Sequence, residues 1–493
     1  MNTKSPASSP SPARQSSRRS FLKAASALPV AAYLGSGLRA RPAFSANFQS
    51  PNEQPVVGFI GTGIRYHTYH CRQALKFGPC GGIADCDSVQ LGRAQQAAVD
   101  IHRERDWPLV MGLYEDYRGL LDRSDIDVIV IGSVDHWHTK MVIDALKAGK
   151  DVYCEKPLTL TIREGQQIEQ ALQQTGRVMQ VGTQQRTEFD QRFVQAAAML
   201  RDGRVGDVQR LTVCIGGSRE SGPLPKVDPP KWLNWELWQG QTPWHDYRQA
   251  SEIVDQKGWG AGFPFSRAHR YYRWFYEYSG GKLTDWGAHH VDIAMWALDK
   301  LRRDIGPITI EPIEVVHPVE FKDGYPTQDD RFNCATKFKV KCTFADGIEM
   351  FVRDNAQDDL GFENGIMFEG TKGRFLVNRG KIVGRPVEEL PDHPLPTGAY
   401  AALYEEPTTP DLGGFGSEGY HMKNFMECIK TRKTPASDVA SHNRMLNVCH
   451  AINVAMRLGR TLTFYPENDT FGNDQQANAF IEREQRKGYE ITV

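Results

Sequence analysis

The feature that most constrains the fold is a glycine pair placed directly after a short apolar segment. Residues 56–60 read Val-Val-Gly-Phe-Ile, and Gly61, Thr62 and Gly63 follow at once. A short apolar run bounded by turn residues is typical of a strand buried in a parallel sheet. Glycines here allow a tight turn and let a phosphate approach the backbone where the next helix begins. The pattern predicts a nucleotide-binding strand–turn–helix unit, although Tyr66 stands where such loops carry a third glycine.

The residues that follow alternate between predicted strands and helices. Strands are predicted at 82–84, 128–131, 151–154 and 178–181, and helices at 69–77, at 141–148 and from about residue 162. This alternation favours an α/β fold, a doubly wound parallel sheet of the Rossmann type. We assign residues 55–184 to this domain.

Asp85 follows the second predicted strand and bears on the choice of dinucleotide. A carboxylate about 20 residues after the glycines can accept hydrogen bonds from the adenosine ribose hydroxyls. Its negative charge would repel a 2′-phosphate, so the sequence favours NAD over NADP.

From about Arg186 the pattern becomes one of alternating strands. Residues 334–342 and 343–353 alternate apolar and polar side chains around Asp346-Gly347, which is a strong hairpin pattern. Further strands are predicted at 208–215, 365–369 and 374–377, and residues 441–460 have a helical pattern that we expect to pack on this half. We therefore expect an α+β domain at residues 185–493, built on an open antiparallel sheet.

The first 46 residues indicate an export signal rather than a folded domain. Ser17-Arg18-Arg19-Ser20-Phe21-Leu22-Lys23 precedes an uncharged, weakly apolar run at 24–38, and small residues follow near 43–46. This pattern resembles a bacterial twin-arginine signal. It predicts a signal peptide and disordered leader at 1–46, recognition by the twin-arginine export machinery, and a periplasmic or otherwise exported protein. No other stretch reaches transmembrane length, so we expect no stable membrane insertion.

Charge and cysteine content exclude several classes of function. The chain has 59 Lys+Arg against 60 Asp+Glu, so there is no electrostatic case for nucleic-acid binding. Nine cysteines without a CxxC pair fit neither a small disulfide framework nor a zinc ribbon. No histidine spacing matches a zinc signature, and we predict no metal, although possible nitrogen ligands occur at His67/His70, His136/His138 and His289/His290.

Two motifs far apart in the chain carry a resemblance to a known family. The first is Cys154-Glu155-Lys156-Pro157-Leu158, and the second, at residues 280–292, is Gly-Gly-Lys-Leu-Thr-Asp-Trp-Gly-Ala-His-His-Val-Asp. In this order they resemble the Gfo/Idh/MocA oxidoreductases, which include glucose–fructose oxidoreductase and inositol dehydrogenase. The twin-arginine start and the segment 234–240, Asn-Trp-Glu-Leu-Trp-Gln-Gly, are similar to the exported subgroup of that family.

The resemblance implies that Lys156, Asp285 and His289 are the catalytic residues. If 285–298 is a helix, Asp285 and His289 share one face of it. We assign His289 as general base or acid, Lys156 as hydrogen-bond partner or proton shuttle, and Asp285 as the residue that orients them. Which of Lys156 and His289 takes the proton first stays open. The implied cofactor-binding residues are Gly61, Thr62, Gly63, Ile64, Arg65, Asp85, His138, Glu155, Lys156 and Gln185.

Residues 217–280 are rich in aromatic side chains, which suit sugar rings but also fill cores. The expected substrate contacts are Lys156, Tyr272, Trp274, Tyr276, Asp285 and His289. Arg270 and Arg273 either bind an acidic sugar or pair with local carboxylates, and we favour pairing. His138 either lines the site or caps a helix, and His290 is expected to pack.

These features predict an exported NAD(P)-dependent oxidoreductase that acts on a secondary alcohol of a sugar or polyol. Because no free NAD pool is expected outside the cytoplasm, we expect the nucleotide to be tightly bound, loaded before export and recycled in place by a second substrate. The first alternative is an NAD-using glycoside hydrolase or lyase without net redox change, and the second is a non-catalytic sugar-binding protein. The family resemblance favours a homodimer or homotetramer.

Overall fold

The computed structural model of the protein describes residues 54–253 and 262–493. The predicted twin-arginine signal and leader at 1–46 lie outside the described residues. Within them, no helix is both long and apolar enough to cross a membrane.

Six parallel strands form the first sheet, in the order β3-β2-β1-β4-β5-β6. Their bounds are β1 Val57–Ile60, β2 Cys80–Ala84, β3 Gly112–Tyr114, β4 Val128–Ile131, β5 Asp151–Glu155 and β6 Met179–Gly182. Alternate residues of the central strands join two different apolar clusters, so both faces of the sheet are covered. This confirms the predicted doubly wound α/β fold. Strand β3 was not predicted, because it is short, partly exposed and lacks an apolar run.

The helices of this half include one irregular turn beside the glycine loop. Their bounds are a π-helical turn at Tyr66–His70 and α-helices at Cys71–Ala74, Ser88–Glu104, Tyr117–Leu121, His138–Lys147, Ile162–Thr175 and Arg192–Arg201. The Tyr66 ring packs edge-on against Phe59, and its hydroxyl donates to the Ala94 carbonyl at 2.9 Å. The side chain that replaces the third glycine is therefore a buried part of the core, and the wider π-helical turn occurs at that point.

The second sheet has eight strands in the order β15-β14-β13-β7-β12-β11-β8-β16. Their bounds are β7 Val208–Cys214, β8 Ile308–Val316, β11 Lys337–Thr343, β12 Glu349–Arg353, β13 Gly365–Gly370, β14 Gly373–Val377, β15 Ile382–Val383 and β16 Leu462–Phe464, with a separate pair β9 Phe321–Lys322 and β10 Tyr325–Pro326. The predicted hairpins β11–β12 and β13–β14 are present. They flank β7 on opposite sides, and β12 runs parallel to it. The sheet is therefore mixed, which corrects the antiparallel prediction.

The second half contributes further helices, some of which border the site. Their bounds are Trp235–Gln239, Gly281–Asp285, Gly287–Ala297, Gln357–Leu360, Arg385–Glu388, Tyr420–Thr431, Val439–Leu458 and Gln475–Asn478, and a 3-10 helix spans His269–Trp274. The single helix predicted at 285–298 is two helices that meet at Trp286. The helix Val439–Leu458 contacts both β8 and the helix Ile162–Thr175. It therefore packs on the second half, as expected from the pattern at 441–460, and it also joins the two sheets.

Candidate active site

A cavity of about 1350 Å³ opens where strands β1, β2, β4 and β5 end. The order of the parallel strands reverses between β1 and β4, and ligands of open α/β sheets bind at the carboxyl edge beside such a reversal. Residues of the second half form the remaining wall, and they include Trp238, Tyr272, Trp274, Lys282, Asp285, Trp286, His289 and Arg379.

The glycine loop has the shape that a dinucleotide requires. Gly61 has a φ of +80°, and a Cβ there would lie 2.5 Å from the backbone nitrogen of Ser133. Only glycine can therefore make this turn beside β4. A Cβ at Gly63 would meet no atom within 4 Å, so the missing side chain leaves free space on the cavity side. The loop thus fits a phosphate group that approaches the backbone closely.

Asp85 holds this loop in place. Its Oδ2 accepts hydrogen bonds from the backbone nitrogen and the hydroxyl of Thr62, both at 2.7 Å, and its Oδ1 accepts from the nitrogen of Asp87 at 2.9 Å. Burial raises the pKa of Asp85 above its ordinary value, although these hydrogen bonds oppose the rise. Asp85 lines the cavity as predicted, and it also ties the glycine loop to the end of β2.

Lys156 and Asp285 form an ion pair on the cavity wall. The Lys156 amine donates to Oδ1 of Asp285 at 2.6 Å and to its backbone carbonyl at 3.1 Å. Burial alone would raise the pKa of Asp285, but Lys156, Arg273 and Lys282 hold it well below its usual range. Asp285 is therefore a carboxylate that keeps the Lys156 amine oriented.

His289 lies on the same wall and is neutral. Burial, followed by the positive charges of Arg379 and Lys156, holds the pKa of His289 well below its ordinary value. Its Nδ1 has no hydrogen-bond partner among the described residues. A neutral imidazole beside a charged amine can accept a proton. The structure therefore brings together the three residues predicted to be catalytic.

Glu155 joins β5 to the helix that follows the glycine loop. Its Oε1 accepts hydrogen bonds from Arg65 and Gln184 and lies 3.0 Å from Nε2 of His70. Burial opposes ionisation, but Arg65 and His70 hold the pKa of Glu155 well below its usual range. Ile64, Arg65 and Glu155, which were also predicted to bind the cofactor, line the cavity as well.

Three predicted site residues do not line the cavity. The ring nitrogens of His138 lie 2.7 Å from the Pro157 carbonyl and 3.2 Å from the Ser133 carbonyl. The Tyr276 hydroxyl instead faces His317, at 3.3 Å. Gln185 lies behind the catalytic histidine and donates to the backbone carbonyl of His289 at 3.2 Å. The family resemblance implied His138 and Gln185, and the aromatic-rich segment suggested Tyr276, but these side chains take hydrogen bonds within the wall.

The neighbours of His289 on its helix have packing roles. The ring nitrogens of His290 lie 3.2 Å from the side-chain nitrogen of Gln185 and 3.0 Å from the side-chain oxygen Oδ1 of Asn364. Asp292 accepts two hydrogen bonds from the buried guanidinium of Arg186, at 2.6 and 2.8 Å. In the part of the chain that the structure describes, no three or more His, Cys, Asp or Glu side chains are grouped to hold a metal.

Sequence reasoning missed Lys282, Trp286 and Arg379 as parts of the site. Lys282 and Trp286 stand inside the second motif, close to Asp285, so their position in the sequence could have identified them as site residues. Arg379 lies in the turn between β14 and β15 and donates to Oε1 of Gln185 at 3.2 Å. No motif marks that turn, and only the fold brings it to the cavity.

Comparison with known proteins finds two family domains in this chain. Residues 56–183 match the NAD-binding Rossmann fold of the Gfo/Idh/MocA oxidoreductase family, and residues 411–491 match its C-terminal alpha/beta domain. Inositol 2-dehydrogenase of Salmonella typhimurium is 32% identical over 151 residues, which are 30% of this chain and 42% of that protein. Alpha-N-acetylgalactosaminidase of Shewanella oneidensis is 29% identical over 256 residues, 48% of this chain and 52% of that protein. The chain thus spans about half or less of the curated relatives it matches.

Solved structures share the fold at low sequence identity. The WlbA dehydrogenase of Bordetella pertussis, in complex with NADH and UDP-GlcNAcA, aligns with a TM-score of 0.55 and 16% identity over 83% of this chain and 98% of its own. A levoglucosan dehydrogenase in complex with NADH and L-sorbose aligns with a TM-score of 0.52 and 17% identity over 83% of this chain and 99% of its own. The two matched domains are similar to those of the Gfo/Idh/MocA oxidoreductase family, and the solved structures show that the fold is shared.

Proposed function

We propose that this protein oxidises a secondary alcohol of a sugar or polyol with NAD as hydride acceptor. One observation carries the proposal: the Lys156–Asp285 ion pair and the neutral His289 line the same cavity as the Gly61–Gly63 loop. A nicotinamide bound there would supply the hydride chemistry. The chain's own residues must take the hydroxyl proton and stabilise the charge that develops on the oxygen.

The geometry divides these tasks between Lys156 and His289. A lysine ammonium has three donors, and Asp285 receives two of them, which leaves one for the reacting oxygen. His289 is neutral and lines the cavity. We therefore assign proton acceptance to His289, charge stabilisation to Lys156, and the orientation of Lys156 to Asp285.

The test is the absorbance of reduced nicotinamide in the purified protein, without added cofactor, as single sugars and polyols are mixed in. We expect one class of sugar to give a rise that is stoichiometric with the bound nucleotide. The matched variant Lys156→Met should hold nucleotide and give the rise roughly 10²- to 10⁴-fold more slowly. A flat trace across the panel, from protein shown by denaturing release to contain NAD, would contradict the proposal.

We propose further that the protein is exported with NAD already bound and recycled in place. The motif at residues 17–23 supports export. Hydrogen-bond contacts between the second half and the residues just after β2 support retention of the nucleotide. The His269 ring lies 2.9 Å from Oδ2 of Asp87, and the Ser88 nitrogen donates to the Trp232 carbonyl at 2.9 Å. The double variant with Arg18→Lys and Arg19→Lys should keep the protein in the cytoplasm. Mature exported protein that contains no nucleotide would refute in-place recycling.

A redox-neutral glycoside hydrolase is the second candidate, because some relatives carry that activity in their names. Besides the alpha-N-acetylgalactosaminidase, the "Glycosyl hydrolase family 109 protein 1" of Shewanella sp. strain MR-4 is 30% identical over 210 residues, 39% of this chain and 44% of that protein. Such a reaction would oxidise a sugar hydroxyl to a ketone with loss of hydride to the nicotinamide and would remove the acidified neighbouring proton as the glycosidic bond breaks. Water would then add to the unsaturated ketone, and the hydride would return to the carbonyl carbon. Release of chromophore from a chromogenic glycoside, without accumulation of reduced nicotinamide, would favour this reading.

Two further expectations remain proposals with simple tests. A non-catalytic sugar-binding role predicts that Lys156→Ala leaves sugar affinity and biological activity unchanged. A homodimer or homotetramer predicts a molecular mass in light scattering of two or four times that of the chain.

A further inference from the structure

We propose that the substrate carries an anionic group, a carboxylate or a phosphate ester, and that Lys282 and Arg379 bind it beside Trp286. The inference rests on the proposed function, since it takes the reacting end of the cavity to be the place where a sugar or polyol is oxidised. It adds a substrate class to that function and assigns specificity to two residues outside the catalytic group.

The first observation is an excess of positive charge at this end of the cavity. Lys156, Lys282, Arg273 and Arg379 all line it. Asp285 lies 2.6 Å from Lys156 and 3.9 Å from Arg273. Among the described residues, no carboxylate lies within 4.0 Å of Lys282 or Arg379, so these two positive charges have no direct counter-ion.

The second observation is that aromatic rings hold both cations in place without neutralising them. The Lys282 amine lies 5.6 Å from the centre of the Trp286 ring, and the Arg379 guanidinium lies 4.7 Å from the same ring. Arg379 also lies 4.6 Å from the ring of Phe189. A cation is attracted to an aromatic face, but its full charge remains available to a ligand. Trp286 therefore contacts two such charges.

The third observation is the cost of holding this charge without a partner. Burial, together with Lys156 and Arg273, lowers the pKa of Lys282, although Asp285 opposes the change. Burial and the charge of Arg65 lower the pKa of Arg379 to about 10, although Asp285, Glu155 and Glu188 oppose the change. A half-buried cation whose pKa is lowered in this way is stabilised when an anion binds it.

The fourth observation is that the Lys282 amine borders open space. Gly216 lines the cavity next to it, and a Cβ at Gly216 would lie only 3.7 Å from Cε of Lys282. A larger residue would therefore cover the lysine stem. The glycine leaves room for a ligand group to reach the amine.

The cofactor phosphates do not account for these cations. The loop that fits phosphate is Gly61–Gly63, and the nearby Arg65 is already paired with Glu155 at 3.0 Å. Lys282 and Arg379 instead act on the proposed catalytic residues. Lys282 lowers the pKa of Asp285, and Arg379 lowers the pKa of His289. They stand at the reacting end, where the substrate must lie.

The test compares the binding of glucose, glucuronate and glucose 6-phosphate to the nucleotide-loaded protein, by calorimetry and by the fluorescence of its tryptophans. We expect at least one anionic sugar to bind roughly 10- to 100-fold more tightly than glucose, as a charged hydrogen bond would give. The carboxylate and phosphate arms distinguish the two sources of charge. Anionic sugars that bind no more tightly than glucose, or not at all, would overturn the proposal.

The variants assign the effect to the two cations. Lys282→Met should weaken the favoured anionic sugar roughly 10- to 100-fold and change glucose binding little. Lys282→Arg keeps the charge and should retain most of the preference. Arg379→Gln is a second, independent variant in case the first does not fold, and retention of anion preference in both would refute the assignment. Because binding is the readout, a failure of turnover would count against the proposed oxidation and not against this inference.

Discussion

The side-chain amine of Lys156 lies 2.6 Å from Oδ1 of Asp285, across 129 residues of sequence. Lys156 directly follows β5 of the parallel sheet, and Asp285 ends the helix Gly281–Asp285 of the second half. The reacting end of the cavity is therefore assembled from both halves of the chain. Neither the glycine loop nor the second motif forms the site alone.

The first prediction concerns this ion pair. Lys156→Met should lower the single-turnover rate of nicotinamide reduction by roughly 10²- to 10⁴-fold, because it removes the donor to the reacting oxygen. Nucleotide content, measured after denaturing release, should stay near one per chain. Lys156→Arg keeps the charge but changes its geometry, so it should fall between the parent and the Met variant. Equal rates for parent and Met variant would exclude Lys156 from the chemistry.

The second prediction separates two glycines of one loop. Gly61→Ala should destabilise the protein by about 2 kcal/mol or more, because it combines a left-handed φ with a Cβ 2.5 Å from the Ser133 backbone. Gly63→Val should leave the melting temperature of nucleotide-free protein nearly unchanged, since its Cβ meets no atom within 4 Å. It should instead lower NAD affinity by about tenfold or more. Normal NAD affinity in the Gly63 variant would remove this loop from the cofactor site.

The sequence predicted the elements whose pattern is local. Buried parallel strands are apolar throughout, which is why β1, β4, β5 and β6 could be placed to within a residue or two. The mixed character of the second sheet could not be predicted, because β7 and β12 are paired by the chain path and not by any local pattern. The break at Trp286 was missed because apolar and polar residues on both sides of it repeat as in one helix.

The site was predictable where its residues stand in motifs. Lys156, Asp285 and His289 were found because both motifs are contiguous. Arg379 was missed because a turn between two short strands carries no pattern that identifies a ligand contact. For His138 the sequence left both a place in the site and a capping role open, because the direction of its ring depends on the carbonyls of Ser133 and Pro157.

The third prediction tests the structural role of Asp292. Arg186→Met would leave the Asp292 carboxylate buried without its partner, and such a loss costs roughly 3 to 5 kcal/mol of unfolding free energy. The double variant Arg186→Met with Asp292→Leu should be destabilised by less than the sum of the two single variants. Chemical denaturation measures all four proteins. Additive losses would mean that the two side chains stabilise the fold independently.

The fourth prediction follows from buried histidines, of which His421 is one. Burial lowers the pKa of His421 to about 4, against roughly 6.5 for an unfolded histidine. Between these values the unfolded chain binds the proton more readily, so the unfolding free energy falls as the pH drops. The loss from this group is at most about 1.4 kcal/mol per pH unit, and the contribution is fully present above about pH 6.5.

The measurement is the melting temperature at pH 7 and at pH 5. His421→Gln should show a smaller decrease between these pH values than the parent protein, although it is less stable at both. The matched control is His393→Gln, at an exposed position, which should reproduce the parent's decrease. An unchanged decrease in the His421 variant would show that other groups dominate acid unfolding.

The last prediction concerns the proton acceptor. Because the pKa of His289 is held well below its ordinary value, its imidazole is neutral from about pH 6.5 upward. Lowering the pH through that depressed pKa protonates the ring and removes the acceptor, so kcat/KM should fall on the acid side only below about pH 6.5. Arg379 is the largest single charge that lowers the pKa of His289. Arg379→Gln should therefore move the acid limb to higher pH, whereas Arg379→Lys, which keeps the charge, should leave it nearly in place. An acid limb that stays fixed in the Gln variant would show that a different group accepts the proton, and Lys156 would then be the residue to examine.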